Sequence, residues 1–394
     1  MKAFALRVAA GAVRALAALV GLFAGQRRDG IVLISCQGDE PSRDILDLAE
    51  ALGSVRVVAG KMRRSFGGAF LFIGKLFSML RSIAGAKVVV VDAYCPAVSI
   101  PKKPPGRTVV QLWHAPEAIK KFSWQIVDTP AGYSAKTAEI LCMHRGYDYI
   151  LCPAGATRPF FAEAFGYPED VFVKLGLPVI DRVGVMKRPA AGEEESAERV
   201  MARSSIYEKY PDLRERALTV VYAPTFRDGV AVDAAGIVRA FERMADVTLV
   251  LKLHPLDTEK IGTFGSAIVD TEFPLIEWYS AADVIITDYS GVAVEAAAAG
   301  LASYYYIYDI DDYKARRGLN VDMREEAIGK YAFTDADALA AQVINDFTGA
   351  EACSYDFEAL AAFAGKYLEV PLSGNTDRLA AYITEISQLI MIRP

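Results

Sequence analysis

Two series of short, continuous apolar runs, each alternating with helix-like stretches, constrain the fold more than any other feature of this chain. The first series is "IVLIS" (31–35), "VRVVAG" (55–60), "KVVVVDA" (87–93), "RTVVQLWH" (107–114) and "YDYILCP" (147–153). The second is "LTVVYAPTF" (218–226), "VTLVLKLHP" (247–255), "SAIVDT" (266–271), "DVIITDYS" (283–290) and "ASYYYIYD" (302–309). Runs without polar alternation are strands buried on both faces, and helices between them, such as "RDILDLAEALG" (43–53), cover those faces. The expected fold class is therefore α/β, with two doubly wound, Rossmann-type domains. Between the series, residues 175–205 are rich in glycine, proline and charge. A boundary there gives domains at 29–185 and 186–375, and 394 residues are ample for two. Residues 376–394 form a C-terminal helix that can return to the first domain.

Charge is unevenly spread. The formal net charge of −6 argues against nucleic acid as a partner. Residues 1–28 nevertheless hold Lys2, Arg7, Arg14, Arg27 and Arg28 and no acid, among apolar residues such as Phe4, Leu6, Val13 and Leu22. No run of about 18 uninterrupted apolar residues predicts a spanning helix. No small-residue cleavage site marks a signal peptide. The segment reads as an amphipathic helix on an anionic membrane surface, against the plainer alternative of an N-terminal helix packed on the protein. Residues 61–87 repeat the basic, phenylalanine-rich pattern, and two weak anchors hold better than one. Five cysteines, odd in number and without a C-x-x-C pair, suggest neither zinc nor a disulfide framework.

Two facing doubly wound domains make a GT-B-like architecture, with ligands in a cleft beyond the carboxyl ends of the strands. Four of those ends carry polar residues: "VVQLWHAPEAIKKF" (109–122), "APTFRD" (223–228), "LKLHP" (251–255) and "ITDYSGVAVEAAAAG" (286–300). Two of the three histidines, His114 and His254, lie in this set; His144 reads as a residue on a helix surface or at a helix end, without a chemical role. Asp288, Ser290 and Gly291 precede a helix whose first N–H groups suit a pyrophosphate, though an ordinary capped helix reads the same way. Glu295, one turn in, can reach a hydroxyl or simply face solvent. Thr225 and Arg227 can contact phosphate, and Arg227 can equally pair with a carboxylate. Lys252 is open between a phosphate contact and a structural salt bridge. A neutral His114 imidazole can accept a hydroxyl proton, and Lys120 and Lys121 can attract an anionic acceptor.

These segments, in this order and followed by "YIYDIDDYKARRGLNVD" (306–322), resemble the CDP-glycerol glycerophosphotransferases of teichoic acid synthesis, primases and polymerases alike. The resemblance implies a CDP-glycerol donor and a lipid-linked glycan or polyol-phosphate acceptor, at the cytoplasmic face of the membrane as a peripheral enzyme. It implies His114 as base, His254 as phosphate-binding or acid partner, and donor contacts from Pro224, Thr225, Lys252, Leu253, Ser290, Gly291 and Glu295. Trp113, Ala115 and Pro116 flank the base. Asp309, Asp311 and Arg317 fall in the last motif. "WHAP" stands where many polymerases have a glycine-threonine form, Glu295 where aspartate is usual, and Val179 where arginine is common, with Arg182 as a substitute. These departures bear on the polyol: CDP-ribitol is the alternative donor. A nucleotide-sugar glycosyltransferase on the same fold competes with this reading, and so does a catalytically dead polymer-binding module. No tightly bound cofactor or metal is expected.

Overall fold

The structure, a computed structural model, describes residues 2–23, 30–61, 66–190, 192–227, 232–244, 246–253, 265–348 and 353–389. The chain forms two compact units: unit 1 is Met1–Pro116, Lys121–Asp181 and Gly374–Pro394, and unit 2 is Glu117–Lys120 and Arg182–Ser373. The main crossing thus follows Asp181 rather than residue 185, and the C-terminal helix belongs to unit 1, the return that the sequence allows. One feature escapes the sequence: Glu117–Lys120, just after Pro116, belong to unit 2.

Unit 1 is built on six parallel strands: β1 (Gly30–Ser35), β2 (Arg56–Ala59), β3 (Ala86–Val91), β4 (Thr108–Gln111), β5 (Tyr149–Leu151) and β6 (Phe172–Val173), ordered β2-β1-β3-β4-β5-β6. Every residue of β3 is buried, as a strand covered on both faces must be. Unit 2 repeats the plan with β7 (Leu218–Tyr222), β8 (Val247–Leu251), β9 (Ile268–Val269), β10 (Val284–Thr287), β11 (Ala302–Tyr306) and β12 (Ala332–Phe333), ordered β12-β11-β10-β7-β8-β9. This is the strand order of dinucleotide-binding folds, whose direction reverses between β7 and β10. Strands β6 and β12, two residues each, are not among the apolar runs.

The helices that matter below are α1 (Lys2–Phe23), α2 (Arg43–Leu52), α3 (Phe66–Ala84), α4 (Ala135–Ile140), α5 (Arg158–Phe165), α6 (Ala197–Lys209), α7 (Val292–Ala298) and α8 (Asn375–Leu389). Helix α8 lays Leu379, Ile383 and Ile386, at helical spacing, against Leu33, Val88 and Val110 of the first sheet. Asp181 fixes its start. The carboxylate accepts from the N–H groups of Asn375 and Thr376, each at 2.8 Å. Burial alone would raise the Asp181 pKa; those N–H groups outweigh it and hold it below the usual range.

Helix α1 packs on α3 and α4. Its inner side buries Ala10 with Ile100 and Leu141, and Arg14 Nε donates to the Ile100 carbonyl at 3.3 Å. Its outer side exposes Phe4, Val8, Leu19 and Leu22, and α3 adds exposed Ile73 and Phe77. Residues Ala3–Leu22 are long and apolar enough to cross a membrane, which the criterion of an uninterrupted apolar run passes over.

Candidate active site

In unit 1 the end of β4 is held by Gln111, whose Nε2 donates to the Ala93 carbonyl at 3.2 Å and whose Oε1 accepts from the Trp113 N–H at 2.8 Å. Trp113 then takes φ +63°, a conformation uncommon for a bulky residue. Its indole lies over a cluster of rings: Phe122 at 4.8 Å, Phe165 at 5.3 Å and His144 at 5.9 Å between centroids. The His114 ring rests 4.1 Å from the indole centroid, and the residue is exposed. Ala115 is half-buried and Pro116 buried beside it. The result is an imidazole offered to solvent from an apolar bed, the setting a proton acceptor needs.

His144 is the opposite case, and it is a buried turn residue rather than one on a helix surface. It is 3% exposed, with Nδ1 at 3.1 Å from the Tyr147 hydroxyl. Burial, aided by the neighbouring His114, pushes its pKa down to about 3, so it stays neutral and structural.

Unit 2 carries its polar groups at the β7/β10 reversal. Asp288, after β10, is fully buried and accepts from the Thr225 N–H at 2.9 and 3.0 Å. Arg227 Nη1 donates to the same carboxylate at 2.8 Å and to the Thr225 carbonyl at 2.8 Å. Its Nε and Nη2 make a forked pair with Asp309, just after β11, at 2.5 and 2.9 Å. Tyr308, Tyr289 and Tyr313 surround the guanidinium at 5.2 to 5.7 Å. Burial opposes the Arg227 charge, but the Asp309 and Asp288 carboxylates prevail and hold its pKa above the ordinary value.

Of the two readings for Arg227, donor contact or carboxylate partner, the structure shows the second, and Asp288 is its partner rather than an open donor contact; with Asp309 they shape the loop that carries Pro224 and Thr225. Within that loop Thr225 Oγ1 is buried and has no hydrogen-bond partner among the described residues. An orphaned hydroxyl at a sheet's reversal point is a contact in search of a ligand.

Lys252 takes the structural salt bridge, one of the two readings the sequence leaves open. Its ammonium donates to the Asp270 carboxylate at 2.8 Å and to the Asp270 and Phe273 carbonyls at 3.1 and 2.6 Å, which uses all three protons. Trp278 Nε1 and the Tyr210 hydroxyl complete the Asp270 shell, at 2.8 and 2.9 Å. Leu253 is buried beside it, and His254 lies outside the described residues.

Ser290 and Gly291 stand at the start of α7, with Ser290 Oγ 3.4 Å from the Val292 N–H. Glu295 is half-buried and accepts from the Tyr279 hydroxyl at 3.4 Å. Gly291 has a steric reason: a Cβ there would overlap the Glu117 carboxylate. Glu117 belongs to the short segment 117–120 that unit 2 incorporates. Asn320 fastens that segment, with its N–H donating to the Ile119 carbonyl at 2.8 Å and its Nδ2 to the Ala118 carbonyl at 3.0 Å. Burial raises the Glu117 pKa against the pull of Lys120, and burial lowers that of Lys120 against Glu117 and Asp288. Lys120 therefore lies within electrostatic reach of Asp288 in the β7/β10 crevice. Sequence reasoning misses Glu117, Asn320 and the Arg227–Asp309 pair; only Asp309's place after a strand hints at its use.

A family model described as CDP-Glycerol:Poly(glycerophosphate) glycerophosphotransferase matches residues 68–385. The teichoic acid ribitol-phosphate primase of Bacillus spizizenii is 26% identical over 98% of either chain. The teichoic acid glycerol-phosphate primase of Staphylococcus aureus is 25% identical over 62% of either chain. Among solved structures, one of the wall teichoic acid polymerase TagF with CDPG is similar at a TM-score of 0.72, with 18% identity over 99% of either chain. That likeness bears on fold, and the fold is GT-B-like.

Proposed function

The chain belongs to the CDP-glycerol:poly(glycerophosphate) glycerophosphotransferase family, a family of enzymes that transfer a polyol phosphate in teichoic acid synthesis, and from that membership we propose a specific reaction. A hydroxyl of a lipid-linked, teichoic-acid-type acceptor attacks the β-phosphorus of CDP-glycerol. A new phosphorus–oxygen bond forms to the acceptor, the bond to the bridging oxygen breaks, and CMP leaves with that oxygen. His114 takes the proton of the attacking hydroxyl. Thr225 Oγ1, Ser290 and the N–H groups at the start of α7 hold the phosphates, and Lys120 offsets the developing charge. His254 joins them as the phosphate-binding partner by its place in the motif order. Arg227, Asp288 and Lys252 act by keeping these loops in shape. The observation that carries the donor assignment is the buried Thr225 hydroxyl at the strand reversal of the second sheet, without a hydrogen-bond partner among the described residues.

CDP-ribitol as donor is a second reading. In its favour is the match along nearly the full length of a ribitol-phosphate primase. For localisation, the outer apolar side of α1 with Ile73 and Phe77 of α3 supports a helix pair lying in the membrane interface. A spanning α1 would have to pull Ala10 and Arg14 out of their packing on unit 1.

The test is CMP release from the full chain offered CDP-glycerol, CDP-ribitol and UDP-sugars with a lipid-linked disaccharide or short glycerophosphate acceptor. Acceptor-dependent CMP from CDP-glycerol is expected. CMP from CDP-ribitol alone would move the donor to the second reading, and turnover of a UDP-sugar alone would overturn both.

A further inference from the structure

We propose that unit 2 carries a second anion site, on the amino-end side of its sheet, that takes a phosphodiester chain. A cleft of about 680 Å³ opens there, lined by Arg188, Arg199, Arg203, Arg214 and Arg216. Ala217 and Thr219 at the start of β7, and Asp283 just before β10, form its floor. Thr225 and Asp288 follow the other ends of the same two strands. A five-residue strand is about 17 Å long, so the cleft is separate from the β7/β10 crevice.

The cleft has a rigid wall and a surplus of positive charge. Arg199 is buried; its Nη1 donates to the Met186 and Tyr279 carbonyls at 2.5 and 2.8 Å, and its Nε to Glu195 at 2.6 Å. Arg203 forks onto the same Glu195 carboxylate with two bonds of 2.6 Å. Arg188 reaches Asp283 at 3.2 Å, while the other Asp283 oxygen accepts from the Thr219 N–H at 2.9 Å. Among the residues that line the cleft, guanidiniums thus outnumber carboxylates five to two. Arg214 contributes directly to that excess. It is exposed, its guanidinium lies 5.7 Å from the Tyr207 ring centroid, and it has no carboxylate partner among the described residues.

Guanidinium suits phosphate because its planar fork matches two phosphate oxygens. Several guanidiniums along a cleft of this size, well beyond the bulk of one phosphate, suit a ligand that repeats its charge. A flexible phosphodiester chain, with one negative charge per repeat, has that property. Identifying it with the polyol-phosphate chain rests on the reading above; the anion site itself does not.

The test is titration calorimetry on the full chain with CDP present to occupy the donor crevice. The probes, in separate arms, are a synthetic tri(glycerol phosphate) and inorganic phosphate. The trimer should bind more tightly than phosphate and lose affinity as salt rises. Arg214→Glu should weaken the trimer about tenfold, and Arg214→Lys should retain most of the affinity. CMP release with an acceptor that carries no phosphodiester should be unchanged in Arg214→Glu. Equal trimer affinity in wild type and Arg214→Glu, or no trimer binding at all, would overturn the site. Equal affinity for trimer and inorganic phosphate would overturn the chain as its ligand. Should no donor yield CMP while trimer binding still responds to Arg214→Glu, the activity reading falls and the anion site stands.

Discussion

The end of β4 in unit 1 and the β7/β10 reversal in unit 2 look alike in sequence, each a buried strand followed by polar residues. They differ in how those residues are held. His114 is exposed, set on Trp113 and the rings beneath it. Arg227 instead bridges two carboxylates, Asp288 and Asp309, so that each of these charged groups is engaged by the protein itself. A reactive group must reach substrate, so its support has to be apolar and come from behind. A scaffolding charge must be satisfied by the protein, because an unpaired buried charge costs several kcal/mol. Substitution should therefore give opposite results at the two ends.

At His114, loss of the imidazole should lower acceptor-dependent CMP release by about 10²- to 10⁴-fold, the usual weight of a general base. The melting temperature of His114→Ala should stay near wild type, because the residue is already exposed. A variant that unfolds early would show His114 to be structural and erase the contrast. At Arg227, Arg227→Met leaves Asp288 and Asp309 without their cation, at a cost of about 3–5 kcal/mol. The check is denaturant unfolding. A stable, inactive Arg227→Met would return the residue to the donor contacts.

The two ends are not equally legible. Ten of the strands announce themselves as apolar runs, and their ends locate both regions. What the runs do not tell is which partner a charged side chain finds. Arg227 meets Asp309 across 82 positions and Lys252 meets Asp270 across 18, and each pairing depends on which strands lie side by side. His114 is readable because it stands exposed where an apolar run ends, a place the sequence pattern marks directly. The transfer of residues 117–120 to unit 2 leaves no mark in composition; it rests on Asn320, some 200 positions away. Glycine at 291 reads in sequence as room for a ligand at a helix start, and the structure supplies a further reason in the Glu117 carboxylate.

Lys252 sharpens the contrast at smaller scale. Lys252→Met removes the cation from buried Asp270 while Trp278 and Tyr210 still donate to it, so the expected loss is about 1–3 kcal/mol. The folded-state pKa of Asp270, now held below the usual range against burial by Lys252, Trp278 and Tyr210, should rise in that variant. Unfolding followed from pH 7 to pH 3 checks both. If stability is unchanged and only donor affinity falls, the lysine belongs to the donor site after all.

The smallest effect separates the two histidines of unit 1. Burial lowers the pKa of His144 to about 3, while an unfolded histidine titrates near about 6.5. Between those values the unfolded chain binds one more proton than the folded chain, so acid favours unfolding. The contribution of His144 is fully present above about pH 6.5, and falls by about 1.4 kcal/mol per unit as the pH drops toward the folded value. His144→Asn tolerates the left-handed backbone at this position (φ +56°) and removes the titration. It should be less stable than wild type at pH 7, through lost ring contacts, yet lose less on acidification to pH 5. Parallel slopes for the two proteins would mean that His144 is protonated in the folded state. The rings under Trp113 would then be a charged platform rather than an apolar one, and the proposed contrast between the β4 end and the β7/β10 crevice would fail at its base.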